Sequence, residues 1–189
     1  MQTYFLTGNK GKFDEVAASI SGLIQISELD VPEIQSIDLE EIITEKLKYA
    51  IREIKKKKKK SKYNLIIEDT GLYLGALNQF PGPLIKFMLA AVGSNGIYNI
   101  CNCLGDYKAK AVTMFGLYSA SDDEISFYSG EVLGKIVAPK GEQGFGWDAI
   151  FKPNGAQQAF AEMDSIDLKN QYSMRHKALK RLIIQLETG

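Results

Sequence analysis

Leu65-Ile66-Ile67-Glu68-Asp69-Thr70-Gly71 joins an aliphatic run to two carboxylates, a hydroxyl and a glycine. The run reads as a buried strand that ends in Glu68-Asp69-Thr70-Gly71. Carboxylates at the carboxyl end of such a strand lie where α/β sheets place their ligands. An acidic pair there can hold Mg²⁺, or one member can take a proton from water. A hydrated turn capped by Asp69 would use the same residues.

Upstream, Thr3 to Leu6 is a short strand and Thr7-Gly8-Asn9-Lys10-Gly11-Lys12 a polar loop. Phe13, Val16, Ala17 and Ile20 then recur at helical spacing, with Asp14 and Glu15 near the start, where a helix favours anions. Asp38 caps a second helix whose apolar face is Ile42, Ile43, Leu47, Ala50, Ile51 and Ile54. That helix runs out into Lys55 to Lys60. Downstream, Pro81-Gly82-Pro83 is a turn that launches a helix from Ile85 to Val92, followed by a short one from Asn95 to Leu104. Ala109 to Tyr118 is nearly all apolar and reads as a strand covered on both faces. Ser121-Asp122-Asp123 turns it into a partner strand from Ile125 to Val137. Gly141 to Asp148 is a glycine-rich loop. Leu179, Leu182, Ile183 and Leu186 stripe a last helix that Ser173 can cap. Helices alternating with strands, then a long hairpin, predict an α/β fold with an elongated mixed sheet flanked by helices. No repeat or linker divides it, so residues 1–189 read as one domain.

Composition removes several functions. The 189 residues carry 23 cations and 23 anions. Six of those cations are Lys55 to Lys60, and the remaining 17 face all 23 anions, which speaks against a general polyanion-binding surface. The lysine run reads as a solvated helix end, with nucleic-acid binding the minority reading. One histidine, His176, and two cysteines, Cys101 and Cys103, cannot build a Cys/His zinc site. Any metal would be held by carboxylate oxygen, which selects Mg²⁺ or Mn²⁺. No apolar window is long enough for a membrane span, and the chain reads as cytoplasmic and reduced.

Four other stretches carry chemistry. Thr7 to Lys12 lies between a strand and a helix, where backbone amides and the helix N-terminus form an anion cradle and Lys12 adds a point charge. It is not a P-loop, because Gly8 and Gly11 are too close and Phe13 replaces the metal-binding hydroxyl. An ordinary strand-to-helix turn would also use Gly and Asn. Lys86 falls in the first turn of a helix, where a cation is misplaced unless an anion binds there. Phe145-Gly146-Trp147-Asp148 sets two flat rings beside a carboxylate, able to sandwich a base, although aromatic residues mostly pack in cores. Lys169 and Arg175 bracket the entry to the last helix. Arginine's planar fork suits a carbonyl oxygen or a phosphate, yet first-turn arginines are commonly on the surface. Met174 beside it is a packing residue by type. His176 reads as a surface histidine.

In their order, these segments resemble the inosine triphosphate pyrophosphatase family. The resemblance rests on Thr7-Gly8-Asn9-Lys10-Gly11-Lys12 with Glu15 downstream, Glu68-Asp69-Thr70-Gly71-Leu72, and Pro81-Gly82-Pro83-Leu84-Ile85-Lys86. It continues through Gly134 to Pro139, Phe145-Gly146-Trp147-Asp148, Ala161-Glu162-Met163, Lys169-Asn170 and Ser173-Met174-Arg175. It implies two lobes with a cleft, a homodimer, and hydrolysis of ITP, dITP and XTP to the monophosphate and pyrophosphate with Mg²⁺, Mn²⁺ as substitute. By the same likeness, Thr7, Gly8, Asn9, Lys10, Gly11 and Lys12 hold the triphosphate. Glu33, within Pro32-Glu33-Ile34-Gln35, and Asp69 bind the metal, and Asp69 is the general base. Lys46, Thr70 and Lys86 contact substrate. Phe145, Gly146, Trp147 and Asp148 enclose base and sugar, while Lys169, Met174 and Arg175 face the purine edge. Met174 stands where many members carry His, and Asn78-Gln79 where several carry Gly-Gly. No stable nucleic-acid partner and no membrane are expected. The alternatives are a pyrophosphatase for pyrimidine or modified nucleotides, a non-catalytic nucleic-acid-binding protein, and a purely structural module.

Overall fold

Asp38 opens a long helix: its carboxylate accepts from the Glu40 N–H at 2.9 Å and its carbonyl from the Ile42 N–H. A computed structural model describes residues 1–57, 62–144 and 146–188. Its elements are β1 (Gln2–Leu6), α1 (Lys10–Ala17), β2 (Ile24–Ile26), α2 (Leu39–Lys57), β3 (Tyr63–Leu74) and β4 (Pro81–Gly82). They continue with α3 (Ile85–Leu104), β5 (Lys108–Ser119), β6 (Glu124–Ile136), β7 (Phe151–Pro153), α4 (Ile166–Tyr172) and α5 (Met174–Thr188). The strands form one sheet in the order β2-β1-β3-β5-β6-β7, with β4 paired to β3. β1 is parallel to β2 and β3, whereas β4 runs antiparallel to β3 and β7 to β6. The mixed sheet with flanking helices is as the sequence predicts.

The chain divides into two compact units, and β3, β5, β6 and α5 contribute to both. The first comprises Met1–Asp69, Met114–Tyr128 and Leu179–Gly189. Its core packs Ile43, Leu47 and Ala50 of α2 onto Tyr63, Leu65 and Ile67 of β3 and Tyr118 of β5. A Cβ on Gly116 would overlap Ile43 and Leu47, so glycine there lets α2 lie against β5. The second unit comprises Thr70–Thr113 and Ser129–Ala178. Leu72, Leu74, Ile85, Ile97, Cys101, Ala111, Ile136 and Phe151 are among its buried core.

Three departures from the sequence reading matter for the site. β3 does not end in Glu68-Asp69-Thr70-Gly71 but runs on through them to Leu74. Strand pairing overrides the local turn chemistry of those residues, and β4 supplies part of that pairing at Leu72 and Tyr73. Gly71 serves this approach rather than a turn: a Cβ there would lie 3.0 Å from the Gly82 carbonyl carbon. Helix α1 begins at Lys10 rather than after Lys12. The short elements β2, β7 and α4 have no signal in the sequence, and β4 lies in the Pro81-Gly82-Pro83 turn. The break in α3 falls at Gly93 (φ 66°, ψ 177°), between the two expected helices. Asn78 (φ 49°) and Gln79 (φ 72°) both adopt left-handed backbone. Glycine enters that region without the Cβ clash these two residues carry.

Candidate active site

Strand alternation sorts the carboxylates of β3. Asp69 has the parity of Leu65 and Ile67, whose side chains pack under α2, and Glu68 points to the opposite face. Each carboxylate meets a lysine on its own side. Lys46 lies three and four residues after Ile43 and Ile42 and four before Ala50, so it belongs to the apolar stripe of α2. Its amine is 2.6 Å from Asp69 Oδ2 and 3.3 Å from Glu33 Oε1. Those two carboxylate oxygens are therefore no further apart than the two distances laid end to end. Burial opposes the charge of the Lys46 amine, but Asp69 and then Glu33 outweigh it and hold the amine above its ordinary pKa. Lys12, on α1, places its amine 3.1 Å from Glu68 Oε2, and the Glu68 side chain is 0% exposed.

The Thr7–Lys12 segment is a capped helix start. Thr7 Oγ1 accepts from the Asn9 N–H, and Asn9 Oδ1 accepts from the Lys12 N–H, each at 3.1 Å. No atom outside its chain neighbours lies within 4 Å of where a Cβ on Gly8 would project, so the backbone there is open to a ligand. Gly11 lies in the first helical turn. Lys10 departs from the expected set in direction: it pairs with Asp14 at 2.6 Å and is 82% exposed.

The second unit holds the other candidates. Asp148 Oδ2 lies 2.9 Å from the Lys169 amine, and that amine sits 5.6 Å from the centroid of the Phe160 ring. The Asp148 carbonyl accepts from Ala161 N–H, and the Ala161 carbonyl accepts from Gln143 N–H. These bonds pin the glycine-rich loop to the turn Phe160–Glu162. A Cβ on Gly144 (φ 81°) would overlap Asp148 Oδ2, so glycine leaves room for that carboxylate. Gly146 (φ 67°) faces open space. Arg175 is 3% exposed and Met174 4%, directly after Ser173, whose hydroxyl accepts from the His176 N–H at 3.3 Å. Thr70 Oγ1 is 3.2 Å from Thr113 Oγ1. Lys86 is exposed in the first turn of α3, whose N-cap Leu84 makes no side-chain cap bond. Phe145 and Lys58 to Lys60 lie outside the described residues.

Trp147, expected beside the base, is also packed into the core. It is 6% exposed, and its ring meets Phe151 edge-on at 5.4 Å and lies tilted to Phe160 at 6.4 Å. The loop is glycine-rich, but its aromatic residue anchors the core. Arg175 likewise is buried rather than a surface first-turn arginine. From the sequence alone, Glu68 is no more than half of an acidic pair. Its position next to Asp69 on a strand, hence on the opposite face, was the available signal. Lys46 needed no resemblance to be noticed, since it interrupts the stripe Ile42, Ile43, Leu47, Ala50.

Among the described residues no group of three or more His, Cys, Asp or Glu could hold a metal. The pair Glu33 and Asp69 nonetheless fits Mg²⁺, which takes one or two carboxylates and fills its other positions with water and substrate phosphate. Mn²⁺ accepts the same oxygen donors.

This sheet is the fold of the Ham1 proteins. The Staphylococcus aureus Ham1 protein matches it with a TM-score of 0.75 and 26% identity over 98% of each chain. A HAM1 protein from Coxiella burnetii matches with a TM-score of 0.77 and 24% identity over 100% of each chain. Residues 3–185 match the model of the Ham1 family, and the chain belongs to that family. It is 37% identical to the inosine triphosphate pyrophosphatase of Pyricularia oryzae, with 94% of this chain and 89% of that protein covered. The protein of the same description from Neurospora crassa is 39% identical, with 94% and 88% covered. The dITP/XTP pyrophosphatase of Methanopyrus kandleri is 35% identical, with 96% and 94% covered. Among the described residues no helix is long and apolar enough to cross a membrane.

Proposed function

We propose that this protein hydrolyses deaminated purine nucleoside triphosphates, ITP, dITP and XTP, to the nucleoside monophosphate and pyrophosphate. The observation that carries the reading is the Lys46 amine shared by Asp69, which is largely covered, and Glu33, which is exposed. It joins opposed charges at Asp69, where a carboxylate is expensive to keep without a cation. Relatives named for these same reactions, matched over nearly the whole chain, support the substrate class.

Asp69 orients a water and takes its proton as the oxygen attacks the α-phosphorus. The new bond is from that oxygen to Pα, and the bond that breaks runs from Pα to the bridging oxygen of the β-phosphate. Pyrophosphate leaves with the electron pair. When bound at Glu33 and Asp69, Mg²⁺ neutralises charge that gathers on phosphate oxygens. Lys12 and Lys46 supply point charges for the same oxygens and Thr7 to Gly11 the backbone amides, while Lys86 is a substrate contact on the strength of the family resemblance. Gly146 gives the backbone room beside base and sugar. Trp147 serves as the core anchor of that loop, and Phe145 is retained from the resemblance alone. Asp148, Lys169, the Met174 backbone and Arg175 form the base-reading set, with Thr70 as a further substrate contact.

Hypoxanthine and xanthine present an oxygen acceptor at C6, where adenine presents an amino donor. A buried donor such as Arg175 pairs with the first and is left unmatched by the second, which supports discrimination of about 10⁴ or more. The protein works as one catalytic domain, a cytoplasmic homodimer that cleanses the nucleotide pool, on the strength of the family resemblance. The test is incubation with ITP and with ATP, each with and without Mg²⁺, followed by identification of the phosphorus products. Inosine monophosphate and pyrophosphate in equal amounts, only with metal, and little product from ATP are expected. Release of orthophosphate, or equal turnover of ATP, contradicts the reading.

A further inference from the structure

We propose that the Lys46 amine is a stand-in for the divalent cation, holding Glu33 and Asp69 together in the substrate-free protein and leaving them when metal and nucleotide arrive. This rests on the reading of those two carboxylates as metal ligands. The amine sits 2.6 Å from Asp69 Oδ2 and 3.3 Å from Glu33 Oε1, so one cationic centre contacts the oxygens of both. The Asp69 side chain is 15% exposed and that of Lys46 14%. Glu33 keeps 46% of its side chain exposed, so Asp69 is the carboxylate held out of water. Two carboxylates brought together repel each other, and a cation between them removes that repulsion.

Side-chain type and placement suit a temporary occupant. Lysine is a compact charge on a flexible four-carbon stem, whereas arginine's planar fork would fix both carboxylates in one geometry. The backbone that carries it is rigid: Ile42, Ile43, Leu47 and Ala50 around it are all buried, so the side chain can swing without moving α2. Lys12 does not fill this role, because it is engaged with Glu68 on the opposite face of β3.

The consequence is a coupling between two ligands. A metal that arrives alone must displace the amine and leave it with no new carboxylate. A metal that arrives with a triphosphate offers the displaced amine a phosphate oxygen. Metal and nucleotide thus raise each other's affinity, by the same factor in either direction. Lys46 acts as a positioning residue that discourages loading of metal without substrate.

The probe is Mn²⁺, titrated without nucleotide and again with a non-hydrolysable α,β-methylene analogue of ITP, and followed by electron paramagnetic resonance. Lys46→Met keeps the length and apolar character of the stem and removes the charge. We expect it to bind Mn²⁺ alone at least tenfold more tightly than wild type, and to lose most of the enhancement that the analogue gives to wild type. Lys46→Gln, with the rise in melting temperature on adding Mn²⁺ as a second readout, covers the case in which Lys46→Met folds poorly. Equal or weaker Mn²⁺ binding by both variants overturns the stand-in. Separately, Glu33→Gln and Asp69→Asn must each weaken Mn²⁺ binding. If neither does, the metal-site reading beneath the proposal falls, whatever the Lys46 variants show.

Discussion

Lys169–Asp148 and Lys55–Asp123 are both lysine–aspartate pairs with a nitrogen–oxygen distance of 2.9 Å, and they have little else in common. The first pair has side chains 12% and 8% exposed, and the second 52% and 73%. Distance therefore says nothing about what each pair does; solvent does. The exposed pair ties α2 to the turn of the β5–β6 hairpin, where Asp123 also accepts from the Tyr118 hydroxyl at 2.6 Å. The buried pair sits among the residues of the glycine-rich loop and α4, beside the Phe160 ring. Charges kept out of water in that way need a reason beyond stability, because an apolar pair of similar volume is often no less stable. Lys46 with Asp69, and Lys12 with Glu68, follow the buried pattern, whereas Glu33 meets the Lys46 amine from a side chain 46% exposed.

Removing one partner should separate the two kinds. Asp148→Ala leaves the Lys169 amine without its carboxylate in a dry setting, and a loss of about 3–5 kcal/mol in denaturant unfolding is expected. A loss no greater than that of a surface variant would place the pair with Lys55–Asp123. Arg175→Ala probes the buried donor by specificity: the ratio of kcat/KM for ITP over ATP should fall by about tenfold or more. An unchanged ratio would count against its reading of the purine edge. The smallest effect belongs to Asp123→Ala, which should leave pyrophosphate release unchanged and the melting temperature nearly so at ordinary salt. The Tyr118 hydroxyl, followed by Lys55, holds the Asp123 carboxyl below its ordinary pKa. A carboxyl lowered in the folded state stabilises above its unfolded value, and that contribution is lost as pH falls through the folded value. The slight advantage of wild type over Asp123→Ala should accordingly be present at neutral pH and vanish in strong acid, as read by melting curves across pH.

The comparison also marks what a sequence exposes. The α2 stripe, the Asp38 cap, the α3 break near Gly93 and the β5–β6 hairpin were legible, because each depends on periodicity or on a residue's own backbone preference. β2 was not, since three residues of Ile-Gln-Ile alternation carry too little signal until β1 pairs with them. The passage of β3 through Asp69-Thr70-Gly71 was hidden for the opposite reason: local turn chemistry is strong there and tertiary pairing overrules it. Burial was the least legible property. Nothing near Trp147 or Arg175 in sequence tells a core ring from a stacking one, or a buried guanidinium from a solvated one, because the atoms that cover them come from elsewhere in the chain. The ordered set of site segments pointed to the family all the same, and Glu33, remote in sequence from Asp69, shares the Lys46 amine with it.

The central claim is that the lysine-bridged carboxylate cluster is where the reaction happens, and the direct test is pyrophosphate release from ITP by Asp69→Asn. A fall of roughly 10²–10⁴-fold, in a variant that still unfolds cooperatively, is the predicted result for a lost general base. Turnover within a few-fold of wild type would contradict it.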